Sequence, residues 1–196
     1  MGGRNAGETS PAHALDAIRY LCGVAAGLQR ALDAHRRSVE AFRWDVPDSF
    51  NFGRDVVDRL AAGPERPALL WRSSAGAERR LSFADAAVGS NRVARVLRDL
   101  GVGAGDPVLV MLPRVPEWHL VLIGVLKIGA LAIPCSTVLR PKDIAYRAGH
   151  SGAVAVIASA AQTAAVDAVA GQIPSLRYRL CLREDAEPLP DAWIDL

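Results

Sequence analysis

Three closely spaced glycines, Gly101, Gly103 and Gly105, form the first pattern in the chain that could do chemistry. Glycines at such spacing bind dinucleotides when they follow a strand and open a helix, because the helix N-terminus then faces the phosphates. Here the order is reversed, since the glycines follow a predicted helix and lead through Asp106-Pro107 into a strand. The pattern therefore predicts a loop between a helix and a strand.

A second pattern, Gly149-His150-Ser151-Gly152, comes near the Gly-x-Ser-x-Gly turn that exposes the nucleophilic serine of some hydrolases. That turn must follow a strand, whereas this stretch precedes a predicted strand, and residue 153 is alanine. The stretch therefore does not predict a nucleophile.

The residue types that bind metals are dispersed along the chain. The three cysteines, Cys22, Cys135 and Cys181, lack the paired spacing of a zinc site, and their odd number argues against a disulfide framework. None of the four histidines belongs to a His-x-x-x-His pair, which would place two imidazoles on one helical face. We expect no metal site and a reducing compartment.

The composition is that of a globular protein. Of the 196 residues, 51% are hydrophobic and 22% are charged, which allows one large domain or one and a half. The net charge is only +2, and the basic residues are scattered without interleaved aromatic residues. These features exclude nucleic acid as a partner class.

The central elements that must position any site lie between residues 108 and 133. Val108 to Leu112 is an uninterrupted apolar run, typical of a strand that is buried on both faces of a parallel sheet. Pro116 suits the first turn of a helix, Gly129 suits its end, and Leu131 to Ile133 is a second apolar run. This order predicts a right-handed βαβ crossover.

A membrane span is the alternative for the most apolar stretch, Leu120 to Ile133. A span needs about 20 apolar residues, whereas this run is shorter, contains Lys127 and two glycines, and ends at Pro134. We therefore predict a buried helix and no transmembrane segment.

The N-terminal region is predicted to be a separate part, residues 1–45. Residues 1–11 are polar and Gly-rich, and the apolar residues between Ala12 and Phe42 recur mostly three or four apart, which predicts an amphipathic helix. Acidic residues are spread through this region, unlike a mitochondrial transit peptide, and no signal peptide is visible. We expect the cytoplasm, with the mitochondrial matrix as the less favoured alternative.

The elements before the central crossover are short. Phe52 to Leu60 reads as a helix, and Ala68 to Trp71 with Arg80 to Leu81 as a β-hairpin. Ser82 and Asp85 resemble a capping box that opens a helix. That helix is predicted to end at Gly101.

The elements after the crossover continue the alternation of strands and helices. A helix is predicted from Pro141 to about Ala148, a strand over Ala153 to Ala158, a helix over Thr163 to Ala170 and a strand over Tyr178 to Leu182. The last residues, Asp185 to Leu196, are predicted to end without a closing element. The alternation predicts an α/β fold with a mostly parallel, doubly wound sheet and a small β-hairpin.

The sequence resembles the AMP-forming acyl-coenzyme A synthetases, in particular the medium-chain branch of the adenylate-forming superfamily. The likeness covers roughly the last three-quarters of the chain, and it is specific because many short motifs occur in order. These motifs are Phe42-Arg43-Trp44, Phe50-Asn51-Phe52, Leu81-Ser82-Phe83-Ala84-Asp85, Ser90-Asn91-Arg92-Val93-Ala94, Gly101-Val102-Gly103-Ala104-Gly105-Asp106, Met111-Leu112-Pro113-Arg114-Val115-Pro116-Glu117-Trp118, Lys127-Ile128-Gly129-Ala130, Pro134 and Asp143-Ile144-Ala145-Tyr146-Arg147.

The resemblance implies an enzyme that uses ATP and Mg²⁺ to activate a fatty or other carboxylic acid as an acyl-adenylate, and then passes the acyl group to coenzyme A. The family's phosphate loop, Thr-Ser-Gly-Thr-Thr-Gly-x-Pro-Lys, has no match here. The nearest run of small residues, Ser73-Ser74-Ala75-Gly76, lacks a lysine and falls in the predicted hairpin turn. The adenine contacts, the hinge and the small C-terminal domain of the family have no counterpart either.

Residues 46–196 are accordingly expected to be a partial AMP-binding domain, the first part of the family's large N-terminal domain. We expect a fragment that is inactive alone, binds none of these cofactors tightly and leaves an apolar face open to water. The main alternative is a non-catalytic α/β module that docks onto a partner, which would supply the missing half of the fold. A free-standing nucleotide- or coenzyme-binding protein is a third possibility.

The resemblance offers two cofactor-binding candidates in the loop from Cys135 to Arg140, which follows the carboxyl end of a strand. Val138 stands where medium-chain relatives have a glutamine near coenzyme A, which departs from the family pattern. Arg140 can meet a phosphate at this sheet edge, or it can be a solvated or helix-capping residue. Trp71 and Trp118 are expected in the core rather than in an acyl pocket.

Overall fold

The computed structural model describes residues 11–183 and 188–196, and it describes side chains from residue 23 onward. Apart from Pro11, the predicted N-terminal tail lies outside the described residues. The chain divides into two compact units, Met1–Asp48 and Ser49–Leu196.

The first unit contains one long helix, α1 (Pro11–Ala41). It confirms the helix predicted from Ala12 to Phe42. At its C-terminal end, the guanidinium of Arg43 donates hydrogen bonds of 2.7 Å to the carbonyl oxygens of Glu40 and Phe42. The last carbonyl groups of a helix have no partner within the helix, so this contact stabilises the end of α1.

The second unit begins with a π-helix, Gly53–Asp58, that continues into the short helix α2 (Arg59–Ala61). The sequence predicted a helix here but not its wider turn. A hairpin follows, formed by β1 (Pro67–Arg72) and β2 (Glu78–Ser82), which pair antiparallel as predicted.

Helix α3 (Phe83–Asp99) opens with the predicted capping box. The Ser82 hydroxyl accepts a hydrogen bond from the backbone N–H of Asp85, and the Asp85 carboxylate accepts one from the backbone N–H of Ser82. The Ser82 N–H, followed by the Ser82 hydroxyl, which also donates to Asp85 Oδ2 at 2.8 Å, stabilises the ionised carboxylate and lowers the pKa of Asp85 below its ordinary value. Gly101, with φ +79°, follows the helix at its C-terminal end.

Five parallel strands form the main sheet in the order β4-β3-β5-β6-β7. This arrangement, with the separate hairpin, confirms the predicted α/β fold. The strands are β3 (Pro107–Met111), β4 (Leu131–Pro134), β5 (Ala155–Ser159), β6 (Tyr178–Leu182) and β7 (Ile194–Asp195).

Helices cover both faces of the sheet. Residues of α3 and α4 (Pro116–Lys127) pack on one face, and residues of α5 (Pro141–Ser151) and α6 (Thr163–Ala170) pack on the other. Successive β3 side chains alternate between the two layers, so Val108 and Val110 meet α4 while Leu109 and Met111 meet α5 and α6. No helix in the described part of the chain is both long enough and apolar enough to cross a membrane.

Helix α5 runs three residues beyond its predicted end. Ser151, the serine of the hydrolase-like stretch, lies in its last turn and donates its hydroxyl to the carbonyl of Arg147 at 2.8 Å. The helix ends at Gly152, whose φ of +66° is in the left-handed region. Ser151 is therefore a helix-terminal residue and does not stand on a turn after a strand, which agrees with the prediction that it is not a nucleophile.

The expectation that the last residues contain no closing element was wrong, because β7 pairs with β6. The Trp193 indole N–H donates to Asp167 Oδ1 at 2.9 Å, and the same oxygen accepts a 2.6 Å bond from Arg179 Nη1. A strand of two residues has no recognisable pattern, and contacts with α6 and β6 determine its position.

We predict that Gly124→Ala destabilises the protein by about 2 kcal/mol, because a well-packed contact has no room for an added carbon. A Cβ at Gly124 would lie 2.7 Å from Val93 Cβ and 2.8 Å from the Ser90 carbonyl oxygen, where α3 and α4 meet. Urea unfolding measures the change. The matched control is Gly149→Ala in α5, which has open space around its added carbon and should gain about 0.5–1 kcal/mol. Equal effects of the two substitutions would contradict the prediction.

Candidate functional site

A cleft of about 650 Å³ lies at the carboxyl ends of β3 and β4. In open α/β sheets this is the edge where ligands bind. The residues after β3, the first helical turns of α4 and the loop after β4 form the cleft, together with one residue of the hairpin. We call it the β3–β4 cleft, and its lining residues are Trp71, Leu112, Pro113, Arg114, Val115, Trp118, His119, Cys135, Ser136 and Thr137.

Two indoles lie on the walls of the cleft, and the sequence placed both in the core. Trp118 is half-buried and packs against the α3/α4 layer, which agrees in part with that expectation. Trp71 is also half-buried, and its indole N–H donates a 2.6 Å hydrogen bond to the carbonyl of Arg114. Both rings also face the cleft, so the cleft combines apolar surface with a few polar groups, as small-molecule sites do.

Cys135 lines the cleft and is buried. Burial disfavours the thiolate and raises the pKa of the thiol above its ordinary value, which the charge of Arg147 offsets only in part. A protonated thiol is a poor nucleophile. The cleft therefore suits binding of an organic group better than covalent catalysis.

The two predicted cofactor-binding residues lie in the loop that leads away from the cleft. Val138 has 84% of its surface exposed, and its backbone N–H points to the Ser136 hydroxyl at 3.4 Å. Arg140 is exposed and is the N-cap residue of α5, where its carbonyl oxygen accepts hydrogen bonds from Asp143 and Ile144. The structure places both at the predicted sheet edge, and neither lines the cleft itself.

The cleft residues do not fit a magnesium-bound triphosphate. Their only charged side chain is Arg114, which is exposed, and they include no carboxylate. The Ser73 to Gly76 stretch forms the hairpin turn, in which the Ser73 hydroxyl accepts a hydrogen bond from the Ala77 N–H. Within the described side chains, no cluster of three His, Cys, Asp or Glu residues could hold a metal ion. We therefore derive no phosphoryl chemistry from these residues.

A buried polar cluster around Lys127 is the feature that the sequence did not reveal. Its ammonium donates to Asp58 Oδ1 at 2.6 Å and to Asn91 Oδ1 at 2.7 Å, and the side chain is only 8% exposed. The cluster joins the π-helix, α3 and α4. A buried ammonium requires such partners, because removing a charge from water without compensation costs several kcal/mol.

The same cluster holds the start of the second unit. The Asn51 side-chain amide donates to the Leu126 carbonyl at 2.8 Å, and the backbone of Gly53 lies so close to Lys127 that an added Cβ would be 2.2 Å from its Cγ. The Asp55 carboxylate accepts a hydrogen bond from the Asn51 N–H. The Arg54 guanidinium is the larger cause, and this N–H the second cause, of a pKa of Asp55 that is lowered to about 2. The segments that contain Asn51, Asn91 and Lys127 are far apart in sequence and thus meet at Lys127.

A parallel sheet with helices on both faces and a cleft at its carboxyl edge defines an α/β ligand-binding domain. Residues 56–193 match the model of the AMP-binding enzyme family. The chain belongs to this family.

The curated relatives are acyl-coenzyme A synthetases. The chain is 36% identical over 176 residues to human acyl-coenzyme A synthetase ACSM2B, mitochondrial. This match covers 85% of the chain and 30% of the relative. It is 38% identical over 157 residues to human ACSM5, mitochondrial, covering 76% of the chain and 27% of the relative. The chain thus spans less than a third of the length of these relatives. Their mitochondrial names do not favour the cytoplasmic location expected from the sequence.

The solved structures agree with the family assignment. The crystal structure of an acyl-CoA synthetase from Brucella canis superposes with a TM-score of 0.67 at 29% identity. The match covers 81% of this chain and 28% of the other. The recognised medium-chain resemblance and the adenylate-forming fold are therefore confirmed.

We predict that Asp58→Asn destabilises the protein by about 2 kcal/mol, because it leaves the buried Lys127 ammonium without its counter-ion. Asp58 itself is 39% exposed, which keeps the loss below that of a fully buried pair. Chemical unfolding of both proteins measures the difference. Asp99→Asn is the matched control, since Asp99 is exposed at the end of α3 and should change stability by less than about 0.5 kcal/mol. The prediction fails if both variants unfold at the wild-type midpoint.

Proposed function

We propose that residues 46–196 form the first part of the large domain of an acyl-coenzyme A synthetase, and that residues 1–45 form a separate N-terminal tail and helix. The observation that carries this proposal is the identity of 36–38% to acyl-coenzyme A synthetases over most of the chain. The complete enzyme would join a fatty or other carboxylic acid to coenzyme A and convert ATP to AMP and pyrophosphate, with Mg²⁺ as cofactor.

This polypeptide alone is proposed to be inactive. Attack of a carboxylate on the α-phosphate of ATP requires groups that neutralise the triphosphate, and the sequence contains no phosphate loop. The donor set of the β3–β4 cleft supports this proposal, since it offers one exposed arginine and apolar walls. The remaining parts of the fold, with their catalytic groups, must come from further polypeptide. The cytoplasmic location of the protein stays a prediction, and the names of the relatives do not favour it.

We predict that the chain alone releases no pyrophosphate above background with ATP, Mg²⁺ and a panel of carboxylic acids. A chimera in which the chain replaces its matched part of human ACSM2B should release pyrophosphate in an acid-dependent manner, because the relative then supplies the triphosphate site. A pyrophosphate assay with each acid omitted in turn measures both. Turnover by the chain alone would overturn the proposed inactivity. A folded chimera without turnover would overturn the assignment to this enzyme class.

The loop that contains Val138 and Arg140 is proposed to contact coenzyme A. Both residues follow the carboxyl end of β4, and Arg140 carries an exposed positive charge that can meet a phosphate. The family resemblance implies a glutamine at the position of Val138, so the valine here is proposed to weaken the contact rather than provide it.

We predict that Arg140→Ala raises the KM for coenzyme A about fivefold in the chimera, which corresponds to about 1 kcal/mol for an exposed charged contact. Val138→Gln should lower this KM by restoring the family's amide. Steady-state kinetics at varied coenzyme A concentration measure both changes. Lys142→Ala is the matched control, because Lys142 is an exposed cation two residues further along, and its loss should leave the KM unchanged. Equal effects at residues 140 and 142 would indicate general charge attraction instead of a contact.

A further inference from the structure

A stripe of apolar side chains runs along α1 and is open to solvent. Within the described residues of the first unit, α1 is the one helix, and no strand accompanies it. Leu28, Leu32 and Val39 are 60%, 49% and 59% exposed. We call the stripe the α1 seam, and its described positions are Ala25, Leu28, Leu32, His35 and Val39.

The spacing of the seam indicates what covers it. Its positions alternate strictly between three and four residues apart, and Ile18 and Leu21 continue this alternation in the sequence. A helix that packs on a globular core has a broader apolar stripe, whereas a strict repeat of this kind is the pattern of two helices that pack side by side. The repeat extends over about three heptads, which is the length at which it becomes a coiled-coil signal. The seam therefore fits a second helix with the same repeat.

The residues that flank the seam are compatible with such pairing. One side consists of uncharged residues, among them Ala31 and Ser38, and the other side carries Gln29 and Arg36. In a parallel pair of helices these two sides face each other, so Arg36 of one copy lies opposite Ala31 of the other. Its aliphatic stem can then cover the edge of the seam without meeting a like charge. The other charged residues of the described helical side chains belong to the outer face, and they are Arg30, Asp33, Arg37 and Glu40.

His35 specifies the partner and the register. It is the one polar residue among the described seam positions. In a parallel, in-register pair it meets His35 of a second copy, and two neutral imidazoles can form a hydrogen bond because each has one donor and one acceptor. In an antiparallel or shifted pair it faces an apolar residue, and a buried polar group without a partner is costly. A single polar seam residue is a known means of fixing register and oligomeric state.

We propose that the α1 seam joins two copies of this chain through a parallel, in-register pair of helices. A helix in water obtains most of its stability from packing of its apolar face, and the second copy supplies that packing along the 31 residues of α1. The inference does not depend on the proposed enzyme class, because the seam lies within residues 1–45 and uses none of the β3–β4 cleft.

The test uses the full chain and sedimentation equilibrium over a range of concentrations, which should show a dimer. Leu32→Glu should raise its dissociation constant by at least about a hundredfold, because each copy loses a buried leucine and gains a carboxylate in the seam. Ala34→Glu is the matched control, since it adds the same charge at an exposed position outside the seam and should leave the dimer intact. His35→Leu should tighten the dimer about tenfold by removing the polar layer. Loss of helix in a variant cannot produce this gain.

The direction of pairing is tested separately. Chains labelled with a donor or an acceptor dye on the α-amino group are mixed, and energy transfer between the dyes is measured. A parallel pair brings the two N-terminal ends of α1 together, whereas an antiparallel pair separates them by the helix length, about 46 Å for 31 residues. Strong transfer that Leu32→Glu abolishes is the expected result, and weak transfer in an intact dimer would overturn the parallel register.

Several other outcomes overturn the inference. A monomeric wild-type chain does so, and so does a dimer that Leu32→Glu leaves intact or that Ala34→Glu dissociates equally. A monomer whose melting temperature falls in Leu32→Glu would show that the seam packs against its own chain instead. A monomer that binds vesicles of phosphatidylserine and phosphatidylcholine through Leu32 would show that the seam meets a lipid surface. An unchanged or weaker dimer in His35→Leu would contradict the role of His35.

Discussion

The fold of the second unit depends on one buried ammonium group. Lys127 ends α4 at the point where the π-helix and α3 approach it, and its charge is compatible with burial only because Asp58 and Asn91 both accept hydrogen bonds from it. The π-helix could not lie so close if residue 53 carried a side chain, since its backbone occupies the space next to the lysine stem. The ion pair therefore fixes the position of the elements that precede the sheet.

Local sequence pattern was sufficient for the elements and for the sheet. Short-range signals predicted the central crossover. They are apolar runs such as Val108 to Leu112, together with Pro116 at the start of the helix and Gly129 after its end. The same signals could not reveal the role of Lys127, because its partners are 69 and 36 residues away. A lone lysine near the end of an apolar helix has the appearance of a solvated residue. Strand β7 was missed for a related reason, since a strand of two residues is too short to show an alternation of apolar and polar residues.

The candidate site was predicted at the level of the sheet edge but not of its side chains. The loop after β4 lies where the topology rule places it, and Val138 and Arg140 are both exposed there. The cleft next to them depends on Trp71 and Trp118, which come from the hairpin and from α4, and burial of an aromatic residue in the core is the more common arrangement. Only the three-dimensional approach of the hairpin to the β3 end shows that these rings face a cavity.

The hairpin has a consequence for how such a domain can diversify. Two polar side-chain contacts link it to the start of α4 and the residues before it, the Trp71 indole to the Arg114 carbonyl and Arg79 to Glu117. One wall of the β3–β4 cleft thus belongs to the hairpin, whereas the opposite wall belongs to the sheet and its helices. A substitution at Trp71, the hairpin residue that lines the cleft, would change the size of the cleft and leave the buried layers on the sheet in place. Ligand size can then evolve separately from the stability of the scaffold.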